Sequence, residues 1–168
     1  MSIPVILDTD IGTDVDDVWA LAFLLRCPEL DIRLITTATG DTRHRAALVA
    51  KILSIAGRDD VPIGVGLPLD PAPLGHVAWL GGYRLEEYPG PVYEDGVGAI
   101  CDSVMDSDES VTIIAIGPVP NIAAALVREP QLTERSSFVG MHGSLRRGYL
   151  GAPKAMREYN VKQHALAC

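Results

Sequence analysis

The sequence predicts an α/β fold of the Rossmann-like class, in which a largely parallel, open sheet carries helices on both faces. Short apolar runs alternate along the chain with segments whose apolar residues recur at helical spacing. The runs are apolar throughout rather than at every second position, which is typical of strands that helices cover on both faces. The length of 168 residues suits one domain, expected over residues 1–168.

The first half of the chain is predicted to alternate strand and helix twice. Residues 5–7 form an apolar run that ends at an aspartate, and residues 17–27 carry apolar side chains three and four positions apart. Residues 32–38 are rich in β-branched side chains, which favour strands, and residues 43–56 repeat the helical spacing. Gly57 is expected to end that helix, because glycine readily adopts the left-handed conformation of a helix end.

The second half is predicted to continue the alternation after a long loop. Residues 61–65 form a third short strand, and residues 66–91 are so rich in proline and glycine that they predict a loop beside the strand ends. Residues 111–116 predict a fourth strand, residues 121–127 a helix and residues 137–141 a fifth strand. Ligands of such folds bind outside the carboxyl ends of the strands, so the site is expected there.

Charge and composition argue against several classes of protein. The net charge of −8 and the pI near 4.8 do not suit a surface for nucleic acid. No apolar stretch approaches the roughly 18 residues of a membrane span, and the N-terminus lacks the pattern of a signal peptide. Cys27, Cys101 and Cys168 are widely spaced and odd in number, which favours a reducing compartment. We therefore expect a cytoplasmic protein without nucleic-acid or membrane partners.

Five carboxylates crowd the segment that follows the first strand: Asp8, Asp10, Asp14, Asp16 and Asp17. Like charges this close raise one another's proton affinity unless a cation neutralises them, and oxygen ligands prefer Mg²⁺ or Ca²⁺ to Zn²⁺. The alternative is that the last two acids only cap the following helix while the first two are solvated. The spacing fits neither an EF-hand nor a glycine-rich phosphate loop.

This segment resembles the N-terminal signature of the inosine-uridine-preferring nucleoside hydrolases. That signature is an apolar strand, then Asp-x-Asp-x-Gly, then an Asp-Asp pair that opens a helix; residues 6–12 and 16–21 match it here. Further matching segments follow in the family's order at residues 36–41, 96–98, 116–123 and 158–160. The resemblance implies the nucleoside hydrolase fold and Ca²⁺-dependent hydrolysis of the N-glycosidic bond of ribonucleosides.

The resemblance also assigns roles to individual residues. Asp10 would be a Ca²⁺ ligand and the general base on the attacking water, Asp17 a second ligand, and Ile116 would offer its backbone carbonyl to the ion. The residues implied to contact the nucleoside are Asp16, Asp41, Glu158 and Asn160. The chemistry agrees with these types of residue, because loss of the base builds positive charge on the sugar and carboxylates stabilise that charge.

The chain departs from the family pattern in two respects. Two extra residues precede the Asp-Asp pair, so Asp14 could compete with Asp16 or Asp17 for the ion or the ribose. The family completes its metal shell and supplies an acid for the leaving group, often His, beyond the Glu-x-Asn motif, whereas this chain ends at Cys168. A domain that is incomplete at its C-terminus is therefore expected, with exposed apolar strand surface that could favour a homo-oligomer.

Two histidines are possible pocket residues. His76 lies in the proline- and glycine-rich loop, where it could contact the base or only help to pin the loop to the core. His142 follows the fifth strand and could line the pocket or be buried with a hydrogen bond. His44 is expected on the solvated surface of its helix, and Asn121 is expected to cap the helix that it begins.

Two other functions are compatible with the sequence. A truncated chain could bind a nucleoside or a metal ion without catalysis. A phosphatase of the haloacid dehalogenase type also places Asp-x-Asp after its first strand, but it needs Thr or Val where Gly12 stands.

Overall fold

Six strands form one parallel sheet in the order β4-β3-β2-β1-β5-β6 in a computed structural model that describes residues 2–69 and 75–168. The strands are β1 (Ile3–Thr9), β2 (Leu30–Thr37), β3 (Ile63–Val65), β4 (Val92–Tyr93), β5 (Val111–Ala115) and β6 (Ser136–Gly140). The helices are α1 (Asp16–Leu24), α2 (Thr42–Ala56), α3 (Val77–Leu80), α4 (Gly96–Met105), α5 (Pro120–Arg128), α6 (Leu132–Arg135) and α7 (Tyr159–Gln163). The predicted fold class is confirmed.

The core lies on both faces of this sheet. Val5 and Leu7 of β1 pack into one cluster with α1 and α2, while Ile6 between them packs into a second cluster with α4 and α5. Every one of these three side chains is buried. A strand that is apolar at successive positions is therefore explained by helices on its two faces.

The strand order reverses at β1. The chain moves from β1 outward to β4 on one side and then returns to place β5 on the other side of β1. In open parallel sheets such a reversal leaves a crevice outside the carboxyl ends of the two neighbouring strands, and ligands bind there. The residues that follow Thr9 and Ala115 are consequently the first to consider for a site.

The largest difference from the predicted elements is α4, which the sequence analysis left out. Asp95 caps it by accepting a hydrogen bond from the Gly98 backbone N–H at 2.9 Å. Gly96 is required at its first turn, because a Cβ there would lie 2.8 Å from the Val65 carbonyl. The stretch predicted as a long loop also contains α3 and a 3₁₀ turn at Leu85–Glu87, and residues 70–74 of it lie outside the described part.

Apolar surface is exposed on the last strand of the sheet. Phe138 is 52% exposed and Val139, on the opposite face of β6, is 58% exposed. No helix in the described residues combines the length and the apolar character needed to cross a membrane.

Candidate active site

A cavity of about 190 Å³ opens at the carboxyl ends of β1 and β5, where the strand order reverses. It brings together side chains from segments that lie more than a hundred positions apart in the sequence. The lining residues are Asp10, Thr13, Asp14, Asp16, Asp17, Ile116, Met141, Tyr149, Glu158, Tyr159 and Asn160. Most of the residues that the resemblance singled out therefore meet in one place.

Asp10 lies against the turn that follows β5. A Cβ on Gly117 would stand 2.7 Å from both the backbone nitrogen and Oδ1 of Asp10, so only glycine permits this approach. The backbone N–H of Ile116 donates to the carbonyl of Asp8 at 2.9 Å and thereby continues the pairing of the two strands. Ile116 and Asp10 line the same cavity.

Two buried carboxyl groups of the loop, those of Asp10 and Asp17, ionise less readily than exposed carboxyl groups. Burial raises the pKa of Asp17 to about 7, although the Thr9 hydroxyl donates a hydrogen bond to it. Burial also raises the pKa of Asp10. Desolvation disfavours a carboxylate, and a bound cation would restore the charged form.

The donor set fits a hard divalent cation. Carboxylate oxygens of Asp14, Asp16 and Asp17 lie within 4.8 Å of one another. A hydrogen bond between Asp14 and Asp16 raises the pKa of Asp14 to about 6 and lowers that of Asp16. Carboxylate and carbonyl oxygens suit Ca²⁺ or Mg²⁺ rather than Zn²⁺. Asp14 lines the same cavity as Asp16 and Asp17. Its competition with them for the ion or the ribose therefore remains a prediction.

Glu158 and Asn160 approach the cavity from the start of α7. Oε2 of Glu158 caps this short helix by accepting hydrogen bonds from the backbone N–H groups of Asn160 and Val161, at 3.0 and 3.3 Å. Nδ2 of Asn160 donates to the Ile116 carbonyl at 2.8 Å and to the Met141 carbonyl at 3.0 Å. The amide thus ties α7 to the ends of β5 and β6.

Tyr149 is a lining residue that the sequence analysis missed. Its hydroxyl donates to Oε1 of Glu158 at 3.2 Å and accepts from the Tyr159 backbone N–H at 2.7 Å. Nothing in the local pattern of residues predicts this contact, because it depends on the path of the loop before α7. The Tyr149 hydroxyl thus holds Oε1 of Glu158, while Oε2 of the same carboxylate caps α7.

A family model described as inosine-uridine preferring nucleoside hydrolase matches residues 5–167. The chain belongs to this family. It is 35% identical over 171 residues to the non-specific ribonucleoside hydrolase RihC of Klebsiella pneumoniae subsp. pneumoniae, and 33% identical over 178 residues to the RihC of Escherichia coli strain SMS-3-5. These alignments cover 96% and 100% of this chain.

A solved structure supports the same relationship. The plant nucleoside hydrolase PpNRh1 superposes with a TM-score of 0.80 at 26% sequence identity over 99% of this chain. The chain covers 55% of that structure and 55% and 58% of the two bacterial relatives, so it spans slightly more than half of their length.

Three residues that the sequence analysis considered for the site do not line the cavity at the ends of β1 and β5. Asp41 caps α2 and accepts from the His44 backbone N–H at 2.9 Å. His76 lines a separate apolar cavity of about 210 Å³, in which Trp79 is a neighbour. Nε2 of His142 lies 3.0 Å from the Gly117 carbonyl, and the ring packs beside Phe138.

Two expectations about polar residues were wrong. Asn121 does not cap α5, whose N-cap is Val119 because Pro120 occupies the first turn. Instead Asn121 is fully buried: Nδ2 donates to Oδ1 of Asp8 at 2.7 Å and to the Thr37 carbonyl at 3.0 Å, and Oδ1 accepts from the Leu67 N–H at 2.7 Å. His44 is only partly exposed, with Nε2 2.9 Å from the Gly75 carbonyl.

Asn121→Ala should lower the free energy of unfolding by about 1–3 kcal/mol, since it removes the side-chain partner of the Thr37 carbonyl and of the Leu67 N–H and leaves Oδ1 of Asp8 with only its hydrogen bond from Thr36. Urea unfolding measures this, and Gln131→Ala, at an exposed helix cap, is the control that should change it by less than about 0.5 kcal/mol. Equal stabilities of the two variants would contradict the role of the Asn121 network.

Proposed function

We propose that this chain hydrolyses the N-glycosidic bond of ribonucleosides, giving ribose and a free base, with Ca²⁺ as cofactor. One observation carries the proposal: aspartates of the acidic loop, Ile116 and the Glu158–Asn160 pair line a single cavity at the reversal of strand order. The names of the bacterial relatives, non-specific ribonucleoside hydrolases, support the same chemistry. Membership of this family does not favour the phosphatase alternative.

The proposed ligands of the ion are the carboxylates of Asp10 and Asp17 and the backbone carbonyl of Ile116. When bound, Ca²⁺ would neutralise the crowded acids, orient the ribose diol and make water a stronger acid. The carbonyl of Ile116 already accepts one hydrogen bond from Asn160, and a carbonyl oxygen has a second lone pair to offer.

The reaction follows from the chemistry of these residues. Asp10 takes a proton from the attacking water as the oxygen bonds to the anomeric carbon, and the electron pair of the breaking C–N bond leaves with the base. The remaining carboxylates stabilise the positive charge that develops on the sugar. Asp16, Glu158 and Asn160 are proposed to hold ribose hydroxyls, and Asp41 is proposed as a further substrate contact. His76 and His142 stay candidates for the acid that protonates the base.

Ribose rather than phosphate should be the recognised group. The cavity presents four aspartates and one glutamate, and the chain carries a net charge of −8, so a nucleotide is repelled while a diol donates hydrogen bonds. Inosine should therefore raise the melting temperature in the presence of Ca²⁺ more than its monophosphate does. Equal protection by the two ligands in a thermal-shift titration would contradict this prediction.

The stability of the metal-free chain should fall as the pH rises. Burial raises the pKa of Asp8 and of Asp17 to about 7, against an ordinary value of 3.8. The folded chain thus binds more protons than the unfolded chain between these values, and loses that stabilisation as pH rises through about 7. The melting temperature without Ca²⁺ should be at least about 4 °C lower at about pH 8 than at about pH 5.5.

Added Ca²⁺ should raise that melting temperature more at the higher pH, because the ligands must be deprotonated to bind it. Differential scanning calorimetry with Ca²⁺ or a chelator measures both effects. A metal-free chain that gains stability towards about pH 8 would show that these acids are not held protonated by burial.

The test of the proposed function is release of base from inosine and uridine by the 168-residue chain, with Ca²⁺ or with a chelator. The proposal expects release that depends on Ca²⁺ and no hydrolysis of an aryl phosphate. Binding of Ca²⁺ and inosine without turnover would instead establish the alternative, a non-catalytic binding protein. Hydrolysis of the phosphate ester alone would contradict both.

A further inference from the structure

The guanidinium of Arg45 joins the loops that follow β1 and β2. Its side chain is buried on the first turn of α2. Nε donates to the Thr39 carbonyl at 2.8 Å, and Nη1 donates to the Ile11 carbonyl at 2.7 Å and to the Asp10 carbonyl. The Thr13 hydroxyl lies 3.1 Å from the same nitrogen. One side chain thus contacts most of the turn that carries Asp10.

Each of the two loops contains a residue with a positive φ. Thr39 has a φ of 64°, a left-handed conformation that β-branched residues rarely adopt. Gly12 has a φ of 104°, and a Cβ there would lie 2.7 Å from Cδ1 of Leu48 and 3.7 Å from Nη1 of Arg45. Conformations of this kind persist where the surroundings fix them, and they are concentrated at functional sites.

The position of Arg45 is unexpected for helix packing alone. It lies on the buried stripe of α2, four residues before Val49 and eight before Leu53. Burying a guanidinium is unfavourable unless its N–H groups find acceptors, and here backbone carbonyls accept hydrogen bonds from Nε and Nη1. An apolar side chain would fill this position of the buried face of α2 without the cost of desolvating a charge. The hydrogen bonds to the two loops are therefore what arginine adds at this position.

We propose that Arg45 is a positioning residue that fixes the turn from Asp10 to Thr13 and so holds the Asp10 carboxylate at the cavity that Asp17 and Ile116 also line. The inference rests on the proposed function, because it gives Asp10 its importance. Arg45 acts through the backbone of that turn and is not itself a ligand or a catalytic group. Its planar fork matters because one lysine ammonium cannot reach carbonyls on two loops in the same way.

Three variants test this role: Arg45→Met, Arg45→Lys and the control Arg43→Met. Arg43 lies on the same turn of α2 but is exposed, and it pairs with Glu86 and Glu94 on the surface. The control therefore removes the same charge without touching either loop. For each variant we would measure amide hydrogen exchange of the peptides that cover residues 8–17 and 111–116, Ca²⁺ affinity by calorimetry, and kcat and KM for inosine.

We expect Arg45→Met to raise exchange in residues 8–17 but not in β5, and to lower Ca²⁺ affinity and kcat about tenfold or more. KM at saturating Ca²⁺ should change by less than about threefold, since the ribose contacts remain. Arg45→Lys should resemble Arg45→Met more than the unchanged chain, and Arg43→Met should match the unchanged chain. If Arg45→Met does not fold, Arg45→Lys supplies the same comparison.

Other results would overturn the proposal. A lower melting temperature with unchanged exchange in residues 8–17 and unchanged Ca²⁺ affinity would mean that Arg45 only stabilises the fold. Full recovery in Arg45→Lys would mean that its charge, and not its fork, is what matters. If the unchanged chain releases no base, the proposed function fails, but the exchange comparison still decides whether Arg45 fixes the turn.

Discussion

With Asp10→Asn, the kcat for release of base from inosine and uridine should fall by about 10²- to 10⁴-fold, the range for loss of a general base. Asparagine keeps the shape of the side chain and an oxygen that can reach a cation, but it cannot take the proton from water. The close approach of Asp10 to Gly117 fixes its carboxylate at the turn after β5, a position that the other carboxylates of the cavity do not occupy. Steady-state assays at saturating Ca²⁺ measure this directly.

The matched control for this variant is Asp60→Asn, which removes one negative charge from an exposed ion pair with Arg58. Its kcat should be unchanged within about twofold, because surface pairs contribute little. The melting temperature of Asp10→Asn without Ca²⁺ should not fall. Burial raises the pKa of the Asp10 carboxyl group, which means that its charged form is unfavourable there, and asparagine carries no charge. A turnover close to that of the unchanged chain would show that another group is the base.

Asp17→Asn should weaken Ca²⁺ binding by about 100-fold, equivalent to about 2.7 kcal/mol. The affinity of oxygen sites for Ca²⁺ depends on the number of charged ligands, and Asp17 supplies one of them in the proposed site. Asp17 is buried at the start of α1, and the hydroxyl of Thr9 donates to it, so its position is fixed before an ion binds. Isothermal titration calorimetry with Ca²⁺ measures the change.

Asp14→Asn tests whether Asp14, which could compete because of the two extra residues in the loop, takes part in binding the ion. If the ion is held by Asp10 and Asp17, this variant should lower Ca²⁺ affinity by less than about tenfold, since it removes charge from the cavity but no ligand. A loss as large as that of Asp17→Asn would assign the ion to the Asp14 side of the cluster. Unchanged affinity in the double variant of Asp10→Asn with Asp17→Asn would place the ion elsewhere.

The sequence predicts the centre of the fold well because the central strand β1 is apolar at successive positions. Val5, Ile6 and Leu7 can be buried only if helices cover both faces, and this alone favours a parallel α/β sheet. The carboxyl end of that strand then locates the acidic loop at a crevice. The same reasoning could have found α4, since Val97, Ile100 and Val104 recur at helical spacing.

The polar residues behind the site were not predictable in the same way. Arg45 stands beside two other basic residues, which favours a solvated helix face, yet its spacing from Val49 and Leu53 puts it on the buried stripe. That spacing is the signal that could have found it. For Asn121 and Tyr149 no such signal exists, because their partners lie on other segments and depend on the tertiary path of the chain.

A crystal structure of the chain grown with Ca²⁺ and ribose tests the central claim most directly. We expect one ion at the carboxyl ends of β1 and β5, with the carboxylates of Asp10 and Asp17 and the carbonyl of Ile116 at about 2.3–2.6 Å, and with ribose hydroxyls beside Asp16 and Asn160. An ion bound away from Asp10, or a cavity that takes up ribose but no ion, would contradict it.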